Sequence, residues 1–116
     1  MIEYCLTLVN DQNKLYWRKT IMEKNSKLKC LQKEVSGRIE SISYMFPTLI
    51  SKNILVYINQ ESRICNFPTT LIYCKKNKEF EEVKGNICFT KISKKGEIVG
   101  LKDRDISLIY ETVRKM

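Results

Sequence analysis

The most informative absence in this sequence is histidine, which does not occur once in the 116 residues. Histidine is the commonest general base, the commonest zinc ligand and the usual partner of serine or cysteine nucleophiles. Aspartate, glutamate, lysine and tyrosine remain as possible acids and bases. The sequence therefore favours a binding protein over an enzyme.

The cysteines form no recognisable framework. Their number is five, and no two of them stand in a C-x-x-C pair: Cys5, Cys30, Cys65, Cys74 and Cys88. Neither a disulfide framework nor a zinc site is expected from such a pattern, and we predict no metal and no cofactor. Apolar neighbours surround Cys5, Cys30 and Cys88, which predicts buried thiols in a reducing compartment.

Long hydrophobic runs and chain breakers are also scarce. No apolar run approaches the ~20 residues of a membrane span, and the first residues lack the basic head and apolar stretch of a secretory signal. Two prolines and four glycines punctuate the chain, without a linker between them. We expect a soluble, cytoplasmic protein with a single domain over residues 1–116.

Positive charge is what the sequence has in excess. Lysine and arginine total 21 against 13 aspartates and glutamates, which gives a net charge of +8. This charge favours anionic partners, namely nucleic acid, nucleotides or an acidic protein surface. A general compositional bias that only aids solubility explains the same charge equally well.

Alternating side chains predict the strands. Residues 2–10 and 15–21 alternate around the turn signal Asp11-Gln12-Asn13, which indicates a hairpin. Residues 53–59 form a nearly continuous apolar run, typical of a central strand that is buried on both faces. Further strands are predicted at 38–46 and 87–90, a short strand or helical turn at 71–73, and an exposed acidic loop at 79–82.

Two stretches have helical spacing. Leu28, Leu31 and Val35 recur after a capping Asn25 or Ser26, and Gly37 supplies the left-handed residue that ends this helix. A second helix is predicted from Asp103 to the C-terminal end, with acidic residues in its first turn and basic residues in its last. The elements predict an α+β fold: a mixed or antiparallel sheet of about five strands with two helices packed on one face, in the order β(β)αβββα.

An ordered set of short segments resembles the domain of unknown function 3846 family over residues 28–112. The segments are Val35-Ser36-Gly37-Arg38-Ile39-Glu40, Asn59-Gln60-Glu61, Phe67-Pro68-Thr69-Thr70 and Gly85-Asn86. Members typically carry Val-Gly-Gly-x-Ile-Glu, Asn-Glu-Glu, Leu-Pro-x-Asn and a late Gly-Asn. This chain departs from that pattern at Ser36, Gln60, Ser62, Phe67 and Thr70.

The resemblance implies a genomic setting and no particular chemistry. The family is common on phages, plasmids and other mobile elements of bacteria. The expected location is therefore the cytoplasm of a bacterial host cell.

Polar residues after the apolar strand form the first candidate site. Asn59, Glu61 and Arg63 alternate, so they would share one face if the strand continued. An amide, a carboxylate and a guanidinium there could hydrogen-bond a nucleotide or a loop of a partner protein. The alternative is that Asn59 and Glu61 only satisfy backbone groups in a turn.

Two loops form the second candidate. Pro68 and Thr69 could contribute a pocket wall, and Gly85-Asn86 could bring backbone N–H groups close to a phosphate. Their alternatives are an ordinary proline-containing loop and an ordinary turn. No glycine-rich phosphate motif accompanies them.

The basic and aromatic run Tyr16-Trp17-Arg18-Lys19 is the third candidate. Bases stack on aromatic rings while cations hold phosphates, but Trp17 is equally suited to anchor the core beneath the hairpin. With Arg18 and Arg38 added, the predicted ligand-binding residues are Arg18, Arg38, Asn59, Glu61, Arg63, Pro68, Thr69 and Asn86.

These observations predict a small, non-catalytic binding or regulatory protein of a phage or mobile element. The expected action is counter-defence, by sequestering an anionic, nucleotide-like host signal or by inhibiting a host defence protein. A homo-oligomer that forms its pocket between subunits is also expected. The alternative is a nucleic-acid-binding accessory protein, which lacks the support of any recognisable helix-turn-helix or RNA-binding signature.

Overall fold

The computed structural model describes residues 2–75 and 77–116. Within these residues there are eight strands, three α-helices and a 3-10 turn at Ser43–Met45. The strands are Tyr4–Asp11 (β1), Lys14–Ile21 (β2), Ile39–Ser41 (β3), Ile54–Asn59 (β4), Thr69–Cys74 (β5), Phe80–Lys84 (β6), Ile87–Ile92 (β7) and Ile98–Val99 (β8). The α-helices are Lys27–Val35 (α1), Pro47–Ile50 (α2) and Asp103–Arg114 (α3).

The main sheet has the order β2-β1-β7-β4-β3, and β8 pairs with the end of β7. All its neighbours are antiparallel, so the predicted α+β class with an antiparallel sheet is confirmed. The strand predicted to be central, residues 53–59, is instead next to the edge, and β7 is central. The apolar run correctly indicates a strand that is largely buried. It does not indicate the position in the sheet, because a strand next to a short edge strand is buried in the same way as a central one.

The helices lie on opposite faces, which differs from the predicted single helical layer. Side chains alternate across a strand, and β1 and β7 accordingly divide their residues between two cores. Leu6 and Phe89 pack in the core that contains Ile106 and Ile109 of α3. On the other face, the core beneath α1 consists of Cys5, Met22, Leu31, Val35 and Cys88.

The end of α1 differs from the prediction in one residue. Ser36 takes the left-handed conformation with φ of 65°, and Gly37 follows it with its N–H bonded to the Gln32 carbonyl at 2.9 Å. Glycine is needed at 37 for space, because a Cβ there would lie 2.6 Å from Asn59 Nδ2. Gly37 thus lets the end of α1 approach β4 closely.

The predicted strand 38–46 shortens to β3 and then turns into the 3-10 segment. The Ser43 hydroxyl accepts a bond from the Val56 N–H at 2.9 Å and takes the place of a backbone partner. Hydroxyls that bond to backbone in this way compete with a sheet ladder. The alternation in the sequence gave no sign of this competition.

The predicted acidic loop at 79–82 is also wrong, because β6 occupies it and pairs with β5 as a separate hairpin. Residues 71–73 belong to β5, so the strand alternative is the correct one there. Glu81 on β6 forms salt bridges with Arg63 and Lys75.

The C-terminal helix and the first hairpin close the core that contains Leu6 and Phe89. Asp105 accepts a bond from the Lys102 N–H at 2.8 Å and pairs with Lys91 Nζ at 3.2 Å. Among the described residues, no helix is both long enough and apolar enough to cross a membrane.

Candidate binding face

A buried carboxylate organises the surface between α1 and β2. The side chain of Glu34 on α1 is only 7% exposed. Its carboxylate accepts bonds from Thr7 Oγ1 at 2.7 Å and Thr20 Oγ1 at 2.9 Å. Arg18 donates two further bonds to this carboxylate, from Nε to Oε1 and from Nη2 to Oε2, both at 3.1 Å. This bidentate pair fixes the position of α1 relative to β1 and β2.

Arg18, a predicted ligand-binding residue, is therefore already paired. Glu34 is the buried partner of this pair, so loss of Arg18 would leave the charge of its carboxylate without compensation, which is costly. A phosphate ligand of Arg18 would have to compete with the Glu34 carboxylate.

Asn59 and Asn86 hold the C-terminal end of α1. The Asn59 amide donates to the carbonyls of Val35 and Ser36 at 3.1 and 3.0 Å, and its Oδ1 accepts from the Glu61 N–H at 2.7 Å. The Asn86 amide donates to the carbonyl of Glu34 at 2.9 Å. These are the carbonyls that a helix end leaves without partners, so both side chains have structural roles there.

The predicted Pro68 and Thr69 site joins the same region through Asn10. The Asn10 amide donates to the Thr69 carbonyl at 3.0 Å, and the Asn10 N–H donates to Asn86 Oδ1 at 3.0 Å. The Gly85 N–H is bonded to the Pro68 carbonyl at 2.8 Å. Gly85 has φ of 79°, so Gly85-Asn86 is a turn whose polar groups bond within the protein.

The face predicted for Asn59, Glu61 and Arg63 does not form. β4 ends at Asn59, and the chain turns through 60–66. Asn59 is buried, Glu61 is exposed, and Arg63 extends to Glu81 on the β5–β6 hairpin. Alternation predicts a shared face only while the strand continues, and here it ends at the first residue of the three.

Arg38 is exposed at the start of β3, and its carbonyl accepts the Gln60 N–H at 2.8 Å. The structure thus brings Arg18, Asn59 and Asn86 to one end of α1, where all three bond within the protein.

Trp17 is the core anchor that one interpretation of the basic and aromatic run predicted. Its ring centroid lies 4.9 Å from that of Tyr110 and 5.8 Å from that of Phe89. Lys19 Nζ lies 4.2 Å from the centre of the Tyr4 ring. The indole is therefore occupied, which weakens the case for stacking on nucleic-acid bases.

Two adjoining hollows, of about 330 and 400 Å³, lie between α1 and β2. Both are lined by Thr20, Lys33 and Glu34. The first also includes Lys29 and, as its second carboxylate, Glu23. Since Glu34 is paired with Arg18, the exposed lysines give this surface a positive character. We call β2, α1 and these hollows the β2–α1 face.

In the part of the chain that the structure describes, no strand pairs with the outer edge of β2, so this edge carries backbone groups without strand partners. Directly opposite residues in an antiparallel pair alternate between bonded and non-bonded pairs. The Met22 N–H donates to the Glu3 carbonyl across the end of the hairpin at 2.8 Å. By the alternation of the register, the N–H and C=O groups that point away from β1 belong to Leu15, Trp17, Lys19 and Ile21. Of these, the Ile21 carbonyl accepts a bond from the Cys30 thiol, with 3.9 Å between Sγ and O.

A separate groove of about 510 Å³ lies between the β5–β6 hairpin and the end of α3. Ile72 and Phe80 are exposed at its rim, by 54% and 71%. Among the described residues, its lining is largely apolar and Lys115 is its one charged residue. The groove therefore gives no indication of a particular class of partner.

Sequence reasoning missed Glu34, which is the residue that organises this face. A signal was available: position 34 is three residues after Leu31 and one before Val35, so it lies on the apolar stripe of the helix. A carboxylate on such a stripe needs buried partners. Its partners come from β1 and β2, and no local pattern identifies them.

Comparisons with family models, with curated proteins and with solved structures give no match for this chain.

Proposed function

We propose that this is a small, non-catalytic binding protein of a phage or mobile element, and that it engages an acidic segment of a host protein through the β2–α1 face. Inhibition of a host defence protein is the activity that such engagement would produce. The mobile-element setting rests on the family resemblance of residues 28–112.

One observation carries the proposal. The polar side chains best suited to hold a small ligand bond within the protein, whereas Lys29 and Lys33 stand exposed beside an unpaired strand edge. Positive charge beside accessible backbone donors fits an anionic, extended partner.

Capture of a nucleotide signal has less support from the same geometry. Arg18 is bound by two nitrogen atoms to Glu34, and Arg63 is paired with Glu81. Guanidinium groups that hold a phosphate do so most strongly when both nitrogens are available. An acidic protein segment can instead use the exposed lysines.

Charge reversal tests the proposal. The probe is a fluorescent peptide of six Glu-Val repeats, with fluorescence anisotropy as the readout. Lys29→Glu combined with Lys33→Glu is expected to weaken binding about tenfold, which corresponds to about 1.4 kcal/mol. The matched control is Lys52→Glu with Lys94→Glu, which changes the net charge equally at exposed positions that do not line the hollows.

Equal losses in the two double variants would contradict a site on the β2–α1 face, because only overall charge would then matter. Preferential binding of a twelve-residue oligothymidylate, with affinity that falls steeply with salt, would favour the nucleic-acid alternative. Tight binding of cyclic di-AMP would favour the capture of a nucleotide signal.

A further inference from the structure

We infer that the outer edge of β2 is a strand-addition site, where an acidic segment of the partner pairs antiparallel to β2 as a further strand of the sheet. This inference rests on the proposed function and specifies how the partner binds. It makes the recognition depend on backbone pairing as well as on charge.

The edge has the length and the free groups that strand addition requires. β2 has eight residues, all of which are in register with β1, and it ends the strand order of the described sheet. Leu15, Trp17, Lys19 and Ile21 direct their N–H and C=O groups outward, over roughly 20 Å at ~3.3 Å per residue. Within the described residues, all of these groups are free except the Ile21 carbonyl, which accepts from the Cys30 thiol. Exposed edges of this kind are the sites where extended peptides add to sheets.

The two sides of β2 favour different side chains in an added strand. Thr20 and Arg18 lie on the α1 side of β2, next to the hollows that Lys29 and Lys33 line. On the opposite side, Leu15 and Ile21 expose 51% and 57% of their surface. An added strand alternates its side chains in the same way, so the preferred segment alternates acidic residues toward α1 with apolar residues toward the other face.

The same geometry fixes which backbone groups of the segment are used. The residues of β2 with outward N–H groups have their side chains on the face opposite α1. In an antiparallel pair, directly opposite residues share a face. The apolar residues of the added strand therefore donate to β2, and its acidic residues direct their N–H groups to solvent.

A second copy of this chain is the less suitable occupant of the edge. A twofold axis that pairs two β2 strands at Arg18 or at Lys19 would place that residue opposite its own copy, and like charges directly opposite each other are destabilising. An acidic segment instead places its carboxylates on the α1 side, beside the exposed Lys29 and Lys33. The expected occupant is therefore a partner protein.

Backbone methylation of the probe tests the inference without any change in the protein. Three peptides of six Glu-Val repeats are compared by anisotropy: the parent, one with every valine N-methylated and one with every glutamate N-methylated. Valine methylation is expected to weaken binding about tenfold or more, since it removes the donors to β2. Glutamate methylation is expected to change binding less than about twofold.

A composition-matched peptide of Glu-Glu-Val-Val repeats controls for charge and hydrophobicity. It should bind more weakly than the parent, because its side chains do not alternate with the required period. A protein variant adds a second test. Lys19→Pro removes an outward N–H without breaking a bond to β1. Lys19→Gln removes the charge and its contact with Tyr4 but keeps the N–H. Binding should fall further for the proline variant.

The outcomes separate the two proposals. Equal binding of the valine-methylated and parent peptides, combined with sensitivity to the Lys29 and Lys33 reversal, would overturn strand addition and leave the proposed function standing. Failure of every acidic peptide to bind the native protein would overturn both. A dimer in analytical ultracentrifugation that dissociates in the Lys19→Pro variant would assign the edge to a second copy instead.

Discussion

The two edges of the main sheet contrast sharply. At one edge, β2 runs for eight residues and pairs along its whole length with β1. At the other edge, β3 has three residues and gives way to the 3-10 turn. Short edge strands are one of the devices by which proteins avoid unwanted pairing. This protein uses that device at one edge only, which is why we assign binding to the other.

Different residues maintain the two edges. Ser43 replaces the backbone partner of Val56 beyond β3, and Pro47 starts the short helix that follows. On the β2 side, the hydroxyl of Thr20 and the guanidinium of Arg18 are attached to Glu34 of α1. Variants that remove the hydrogen bonds near each edge, one at a time, therefore test how the two edges differ.

The largest effect is expected from Glu34→Ala. The change leaves Arg18, Thr7 and Thr20 without their common acceptor, and we expect the free energy of unfolding to fall by about 3 kcal/mol. Urea denaturation measures this loss. The matched control is Glu40→Ala on β3, an exposed carboxylate whose removal should change stability by less than about 0.5 kcal/mol. If the free energy of unfolding fell by similar amounts in the two variants, Glu34 would have no special role in stability.

The next largest effect is expected from Asn59→Ala, which acts at the β3 side. The substitution removes two bonds to the end of α1 and the acceptor for the Glu61 N–H. We expect a loss of about 2 kcal/mol in urea denaturation, since buried carbonyls are left without partners. A loss as small as that of the exposed neighbour, in Gln60→Ala, would show that these bonds do not hold α1.

A smaller and pH-dependent effect is expected at the start of α1. The hydrogen bond from Lys27 lowers the pKa of Glu3, against the opposing effect of burial and with help from the Gly100 N–H. A carboxyl whose pKa is lowered on folding stabilises the protein above its unfolded pKa, and this stability is lost as the pH falls through its folded pKa.

Glu3→Gln should therefore reduce stability by roughly 0.5–1 kcal/mol at pH 7 and by progressively less below about pH 4.3. Thermal unfolding of both proteins between pH 3 and 7 measures the difference. A penalty that stays constant over this range would contradict a charge-dependent role for Glu3.

The smallest effect is expected from alkylation, whose rate at each cysteine depends on how far that thiol is buried. Burial, with Cys5 as a neighbour, raises the pKa of Cys30 to about 12, and the Cys88 thiol together with burial raises that of Cys5. Protonated, buried thiols react slowly. Iodoacetamide at pH 8 should modify the exposed Cys65 and Cys74 first, as mass spectrometry can show. Early modification of Cys30 would mean that α1 opens away from β2.

Much of the fold was predictable because its signals are local. The alternation in residues 2–10 and 15–21 corresponds to β1 and β2, and the acidic start at Asp103 corresponds to α3. The order of the strands was less predictable, since it depends on which strands meet. An apolar run such as residues 54–59 is compatible with the central strand of a sheet and equally with the strand beside an edge, so its composition does not decide between them.

The candidate site was predicted less well, for a related reason. Asn59, Asn86 and Arg18 were predicted as ligand-binding residues, and the structure brings them together at α1. Sequence could not reveal that their partners are the carbonyls and the carboxylate of the same helix, because those partners lie 16 to 52 positions away. The basic and aromatic run at 16–19 lies on β2, but it predicts base stacking and not strand addition, because the groups proposed to pair with the partner belong to the backbone.

The most direct test of the open edge is amide hydrogen exchange followed by NMR. In the free protein, the amides of Leu15, Trp17, Lys19 and Ile21 should exchange rapidly, while those of Tyr16 and Arg18 are protected by β1. Addition of the peptide of six Glu-Val repeats should protect the first four. Protection of these four amides in the free protein, or no change when the peptide binds, would contradict the account.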